Sequence, residues 1–592
     1  MSMRKSSVPQ IILMAALLTA WGALALVFDN SYYRLLMAVV PIWAAFAASW
    51  NIFSGYSGLL SFGHAAFFGI GAFTVALSLR YFDVSPWFSI PLAIVLGAIA
   101  GAGIGFVTLR LKGIYFSLSM LAYPLVLVYV FQWLGFQELT LPIKRDNPIA
   151  YMQFADYRAY VLLALVLLFV TLFISLRVER SRFGMSLLAI KQNQLAAEAA
   201  GVDTFSWKMK ALVLSAALSA AAGGLYGVLV LVVTPVSVFG LVTTAQAAIL
   251  TIFGGTGVVW GPLIGAVTLV PLSEILQAHL GHVLPGIQGV IFGFAIILVV
   301  RLAPEGAYWR VRDLLTRRKR EGAAKTAHVS NVVAMPPPRA AQPAAATGWV
   351  LQVRNVSRHY GGLKAVNDVS FDVARGEVLG IIGPNGAGKT TLFYLLNGIV
   401  RPNAGEVLFE GQRIDALKPN QICRLGVART FQVVRPFRRM SVLENVVVGA
   451  YVAHASEDEA WAAAAEALAQ VGLSERGQTL AGGLTNKELR LMELARALAG
   501  RPKLVLMDEP LAGLGATETK DIIAVINSLR ESGISVVIIE HTMHAMVSVV
   551  DRFVVLDQGK FLVEGRPAVV TQDKRVIEAY LGRKWALANA AR

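Results

Sequence analysis

The sequence predicts a two-part molecule: an all-α membrane domain of about 8–10 transmembrane helices, then a soluble α/β domain built on a phosphate-binding loop. Three observations carry that expectation. Long apolar runs are confined to residues 8–302, while 350–592 has the mixed composition of a soluble domain. Gly383-Pro384-Asn385-Gly386-Ala387-Gly388-Lys389-Thr390-Thr391 fits the pattern G-x-x-x-x-G-K-[ST] at every fixed position. Between the halves, the basic run Arg317–Arg320 leads into Ala/Pro-rich chain with Pro336-Pro337-Pro338, which has no apolar period and reads as a linker.

Composition narrows the class. An apolar share of 56%, 15% charged residues and a mean hydropathy of +0.60 exclude an ordinary soluble enzyme. Cys423 is the single cysteine, so no intrachain disulfide framework exists and a reducing compartment suits the chain. The net charge of +16 does not call for nucleic acid. Its basic residues sit at the ends of apolar runs, which is how membrane topology distributes charge.

In the membrane half, Arg4 and Lys5 precede an apolar run from Val8 to Phe28. Ala23-Leu24-Ala25 resembles a signal-peptide cleavage site, but further spans follow at once, so the run is read as an uncleaved first helix. Spans are expected at 35–53, 58–79, 87–109, 114–134, 159–177 and 209–233. Two or three more fall within 240–302, where 240–260 is either a short span or a re-entrant segment. With alternating spans, Arg4/Lys5, Arg110/Lys112, Arg177/Arg180/Arg182/Lys191 and Arg301/Arg310/Arg312 share the cytoplasmic side, which favours an even count of eight or ten. Gly97, Gly101 and Gly105 form a small-residue stripe for helix packing. The polar stretch Gly55–His64 interrupts a span, making Ser61, Gly63 and His64 candidates for the translocation path; helix capping near the interface is the alternative. Ser186 to Gly201 reads as a cytoplasmic amphipathic helix, suited to a membrane surface or, better, to a cleft on a nucleotide-driven partner.

In the soluble half, the loop glycines let backbone N–H groups and the next helix N-terminus face phosphates. Lys389 would reach the β- and γ-phosphates, and Thr390 would help hold Mg²⁺. Leu504–Met507 is an apolar strand ending in Asp508 and Glu509. Asp508 suits the metal, and Glu509 suits the attacking water.

Residues 30–302 resemble the permease subunit of branched-chain amino-acid type ABC importers, in Gly58–Ala72, Gln194–Gly201 and Gly254–Gly265. Residues 350–581 resemble the ATP-binding subunits of the same family, in Leu363–Ser370, Gly426–Gln432 and Val576–Gly582. The implied division is a permease domain at 1–302 with a coupling segment at about 178–208, a linker at 303–349 and an ABC ATP-binding domain at 350–592. The resemblance implies ATP and Mg²⁺ as ligands, with Gly383–Thr391 binding nucleotide and Tyr360 stacking on adenine. It makes Gln432 a sensor that reaches the metal or water and His541 a contact for the γ-phosphate; His544 reads as an ordinary loop histidine. Glu198, Ala199 and Gly201 fall in the coupling helix. One motif departs from the pattern. Thr485, Asn486, Lys487 and Glu488 stand where a serine, glycines and a glutamine usually face the partner's ATP, Asn486 being able to take positive φ. Gly515 replaces the usual Asp or Asn of the D-loop. The implied function is import of branched-chain or other amino acids, or related small amides or acids, across a bacterial inner membrane. The implied partners are a periplasmic binding protein, with a second permease and second ATPase or a second copy of the chain. An ABC exporter and a slow nucleotide-binding regulatory membrane protein are the rival readings.

Overall fold

The computed structural model describes residues 8–144, 146–280, 282, 286–302, 306–311, 348–540 and 546–581. Arg4, Lys5, Arg312, the Arg317–Arg320 run, Pro336–Pro338 and the histidines at 541 and 544 lie outside the described residues. Internal contacts divide the chain into two units. One joins the chain up to Lys191 with that from Phe205 onward in the N-terminal half; the other joins Gln192–Thr204 with the C-terminal half.

In the first unit, nine helices among the described residues are long and apolar enough to cross a membrane. They are Val8–Val27, Ser31–Gly55, His64–Phe82, Pro86–Thr108, Ile114–Trp133, Tyr157–Glu179, Thr204–Val230, Pro235–Gly254 and Trp260–Leu280. Ile287–Leu302 adds a further apolar helix of 16 residues. The expected 240–260 ambiguity resolves into a broken span: the short helix Pro235–Phe239, capped by Thr234, meets Leu241–Gly254 at an extended Gly240.

The span expected at 58–79 instead begins at His64, because the polar stretch before it is a true break. Ser31–Trp50 runs into a π-helical turn, Asn51–Gly55, the helix continues through Ser57, and the chain is then irregular from Gly58 to Gly63. Asn51 explains the widened turn. Its buried amide donates to the Val258 carbonyl at 2.8 Å and accepts from Gly257 N–H at 2.9 Å, tying two breaks together. A π-turn is often found where a helix serves a site. The glycine stripe packs as expected: a Cβ on Gly97 would lie 2.5 Å from the Ala220 Cβ, and one on Gly101 2.7 Å from the Ala216 Cβ. Only glycine lets Pro86–Thr108 approach Thr204–Val230 so closely.

The second unit holds a six-stranded sheet, ordered Lys560–Gly565, Arg552–Asp557, Val378–Ile382, Ser535–Ile539, Leu504–Asp508, Val427–Arg429. All neighbours are parallel except the first pair. The strands Val378–Ile382, Ser535–Ile539 and Leu504–Asp508 are buried throughout, which is why each is a continuous apolar run. A four-stranded antiparallel sheet, Leu363–Ala374, Trp349–Tyr360, Ala404–Phe409, Gln412–Arg413, shares the same apolar core. Parallel strands deliver their C-terminal ends to one edge, where ligands of open α/β sheets bind. Both the glycine loop and the Asp508–Glu509 pair follow such ends.

Candidate active site

The glycine loop joins Val378–Ile382 to the helix Lys389–Leu396. Gly388 has φ +95°, and a Cβ there would sit 2.2 Å from the Ala365 carbonyl oxygen, so the turn into the helix needs glycine. Gly383 N–H donates to the Tyr580 hydroxyl at 2.7 Å, anchoring the loop to the C-terminal helix. The buried Lys389 ammonium donates to the Gly383 and Pro384 carbonyls at 2.6 and 2.9 Å, across the mouth of the loop. Burial draws Lys389 below its ordinary pKa, while the nearby Glu509 and Asp508 carboxylates pull the other way. Thr390 and Thr391 are partly exposed in the first helical turn, beside the exposed Asn385 and Gly386 and the buried Ala387.

Across the sheet, buried Asp508 accepts from the Arg429 guanidinium at 3.1 Å. Arg429 lies 4.9 Å from the Tyr394 ring centroid and 5.0 Å from that of Phe431. Burial lowers the pKa of Arg429, chiefly opposed by Asp508, and the pair is a fully enclosed one. Glu509 adopts φ +49°, rare for a residue with a side chain, and its carboxylate accepts from the Gln432 amide at 2.9 Å. The segment around Gln432 is clamped from the helix Asn486–Leu498. Buried Glu493 accepts from Phe431 and Arg435 N–H at 3.1 and 3.3 Å and pairs with Arg496 at 3.2 Å. The structure therefore brings Lys389, Asp508, Glu509 and Gln432 to one edge and adds Arg429, Glu493 and Arg496, to which the sequence reading gave no role.

Tyr360 ends the strand Trp349–Tyr360, 44% exposed, with the Arg358 guanidinium 4.8 Å over its ring. Thr485 is the N-cap of Asn486–Leu498, in a capping box with Glu488. Asn486 is the first residue of that helix and not among the positive-φ residues, so the expectation of a left-handed turn there is corrected. A good cap favours the helical conformation from its first residue. Lys487 pairs with Asp521, and Glu488 also pairs with Arg476 at 3.1 Å. Gly515 caps Ala516–Glu531, its N–H bonded to Glu518 at 3.0 Å.

The expected single helix from Ser186 to Gly201 is two: Arg182–Gln192 and Gln194–Ala199. Asn193 breaks it, because its side chain caps Ala196 N–H at 2.9 Å and its own backbone is extended. Glu198 accepts from Gln194 and Thr204, at 2.9 and 2.8 Å, closing the segment on itself. Ala196, Ala199 and Ala200 line a small cleft with Cys423, Phe431 and Arg496. Gly201, φ +83°, would put a Cβ 2.1 Å from Val452 Cγ2, and its carbonyl accepts from Arg424 at 3.5 Å.

In the membrane unit, Ser61 and His64 are fully buried and bonded to each other at 2.8 Å, and the other His64 nitrogen bonds Ser215 at 2.7 Å. Gly63 abuts Met120. None of the three lines a described cavity of that unit.

Residues 32–300 match the permease component of the branched-chain amino acid transport system, and residues 366–512 match the ABC transporter family. BraF of Pseudomonas aeruginosa, a high-affinity branched-chain amino acid transport ATP-binding protein, is 39% identical over 249 residues, 39% of this chain and 98% of that protein. LivG of Escherichia coli K12, of the same description, is 36% identical with the same coverage. The ATP-binding protein LptB of the E. coli lipopolysaccharide export system is 36% identical over 242 residues, 40% of this chain and 99% of that protein. The nucleotide unit is thus an ABC ATPase that couples ATP hydrolysis to transport, and the apolar helices of the first unit make the chain a multi-pass membrane protein. The chain belongs to the branched-chain amino acid family of ABC transporters, with permease and ATP-binding components carried on one polypeptide.

Proposed function

We propose that this protein is a subunit of an importer of branched-chain or chemically related amino acids in a bacterial inner membrane. Its nucleotide unit faces the cytoplasm, and a periplasmic binding protein delivers the cargo. The observation that carries the reading is the permease match over residues 32–300, joined in one chain to a cassette with its loop and acid pair complete. The cassette alone would not set direction, since a relative 36% identical to it belongs to an export system. A second permease and a second ATPase, or a second copy of this chain, complete the assembly.

The donor set suits Mg²⁺ with a nucleotide. Asp508, Thr390 and Gln432 offer hard oxygens, leaving other positions to phosphate and water, as Mg²⁺ prefers. When bound, the ion neutralises charge on the phosphates. Gly383–Thr391 cradles the phosphates through backbone N–H groups, and Lys389 turns from its carbonyl partners to the β- and γ-phosphates. Tyr360 stacks on adenine. Glu509 orients the attacking water and takes its proton, while Gln432 and His541 hold the water and γ-phosphate in register. Thr485, Asn486, Lys487 and Glu488 face the ATP bound by the partner cassette. Glu198, Ala199 and Gly201 sit in the coupling segment; the Glu493 clamp ties their cleft to Gln432, so that closure of the cassettes moves the membrane helices.

The test is ATP hydrolysis by the assembled complex in lipid, for wild type and Glu509→Gln, with amino-acid-loaded binding proteins added singly. Stimulation by one loaded protein, abolished in Glu509→Gln, is expected. Hydrolysis indifferent to every binding protein favours the exporter, and tight ATP binding without turnover favours the regulatory reading.

A further inference from the structure

The membrane unit holds a half-open cavity of about 330 Å³, at the small end of the ~300–1,000 Å³ typical of small-molecule sites. It lies where Ser31–Trp50 begins, Thr204–Val230 ends and Trp260–Leu280 nears its end, with Pro235–Phe239 at its rim. By the alternation of spans, this is the end of the bundle opposite Arg177 and Lys191, the side a periplasmic carrier would meet.

Among the described residues, Glu274 is the only Asp, Glu, Lys, Arg or His on the cavity wall. Its backbone carbonyl accepts from the Tyr32 hydroxyl at 3.1 Å, but its carboxylate makes no hydrogen bond or ion pair with another described residue. The Gln246 amide, on a residue only 3% exposed, and the Tyr226 hydroxyl are equally without a described protein partner. Thr243, on the same wall, is by contrast satisfied by the Ser237 carbonyl at 2.7 Å. A carboxylate within a membrane span is costly unless it meets a counter-charge, and such residues mark substrate pathways. The described wall supplies no cation. It does supply the Trp43 and Tyr226 rings, 5.7 Å apart, whose faces attract one.

We propose that this cavity is a resting site for the cargo, in which Glu274 pairs with a protonated amine. Gln246 and Tyr226 engage the cargo's remaining polar groups, and Leu36, Val39 and Val230 receive a small apolar body. The inference rests on the importer reading and sharpens it. The class selected is an apolar α-amino acid. Urea and neutral amides bring no counter-charge, and a simple carboxylic acid sets like charge against Glu274.

The test uses the complete complex in lipid nanodiscs, with Val236→Cys at the exposed rim in a Cys423→Ser chain, and follows alkylation by a small maleimide. The probes are L-leucine, isoamylamine and 4-methylpentanoate, which share an apolar body and differ in amine and carboxyl. Leucine and isoamylamine are expected to slow alkylation several-fold and 4-methylpentanoate to leave it unchanged. Glu274→Gln should remove the protection by isoamylamine. The proposal is overturned if the acid protects as well as leucine, if Glu274→Gln protects as wild type does, or if no probe protects. Because the probe series leaves Glu274 intact, it stands even if the glutamine variant fails to fold. ATP-driven leucine uptake with the binding protein is measured beside it. Uptake without protection removes this site and leaves the importer, whereas absence of ATP-driven uptake of any amino acid removes the importer reading itself.

Discussion

Arg429 shows what a single side chain contributes here. It is enclosed between Asp508, the Tyr394 ring and the Phe431 ring, on the edge strand beside the one that ends at Asp508. Removing one member of a buried pair leaves the other charge without compensation, at a cost of about 3–5 kcal/mol. Arg429→Ala is therefore expected to lower the thermal midpoint of the nucleotide unit strongly, by calorimetry of the full chain. Arg429→Lys keeps charge but loses the planar contact with two rings, and should fall between. Glu509→Gln is expected to act on rate rather than on folding. Loss of the general base should slow hydrolysis by roughly 10²–10⁴-fold, with nucleotide still bound, read as phosphate release against retained ATP. Asp508 and Glu509 were legible in the sequence because a buried strand ending in two acids, downstream of a glycine loop, is the arrangement that delivers carboxylates to phosphate-bound metal and water. Arg429 and Glu493 were not. The bonds from Arg429 to Asp508 and from Phe431 N–H to Glu493 span 79 and 62 residues, and the Glu493–Arg496 spacing alone looks like an ordinary surface pair, so no local pattern announces a buried charge.

At the scale of elements, the segment Gln192–Thr204 is the informative one. Its apolar face and its end at Gly201 could be read from the sequence, but the break at Asn193 could not, because whether an asparagine caps a helix or rides on its surface depends on the surrounding fold. The same limit hid Glu274: one acid in an apolar run keeps the run long enough to span, and only the packed helices show that it faces a cavity. Gly201 offers a test of the cleft. Its φ of +83° and the 2.1 Å approach of a Cβ to Val452 mean that Gly201→Ala strains the backbone and unseats the segment. Transport by the assembled complex should fall by more than ATP hydrolysis does. Cys423 reports the same event. Burial pushes its thiol up to about 12, so little thiolate exists near neutral pH and slow alkylation is expected. Gly201→Ala should speed alkylation at pH 8; unchanged labelling together with full transport would show that the segment does not depend on this seat.

For the whole molecule, the two halves were legible because membrane and water impose different compositions, while the behaviour of paired cassettes turns on a few side chains at one helix start. In the family pattern, glycines leave backbone N–H groups bare for the partner's γ-phosphate. Here Asn486 and Lys487 carry side chains, Lys487 is drawn to Asp521, and Glu488 adds a carboxylate in the first helical turn, bound to Thr485 N–H and Arg476. A carboxylate at a helix N-terminus occupies the potential that a phosphate would use. A complex that pairs this cassette with one of the usual pattern should thus have two unequal composite sites. Its loop and acids serve one site fully, while its altered signature serves the other poorly. Titration of trapped nucleotide per assembled complex is expected to give one fast and one slow phase of equal amplitude. Asn486→Gly with Lys487→Gly retains Thr485 and Glu488, hence the capping box, and should bring the slow phase toward the fast one. Two equivalent, equally fast sites in the wild-type complex would show that Thr485–Glu488 receives the partner's phosphate as well as glycines do, and the asymmetry would have to be abandoned.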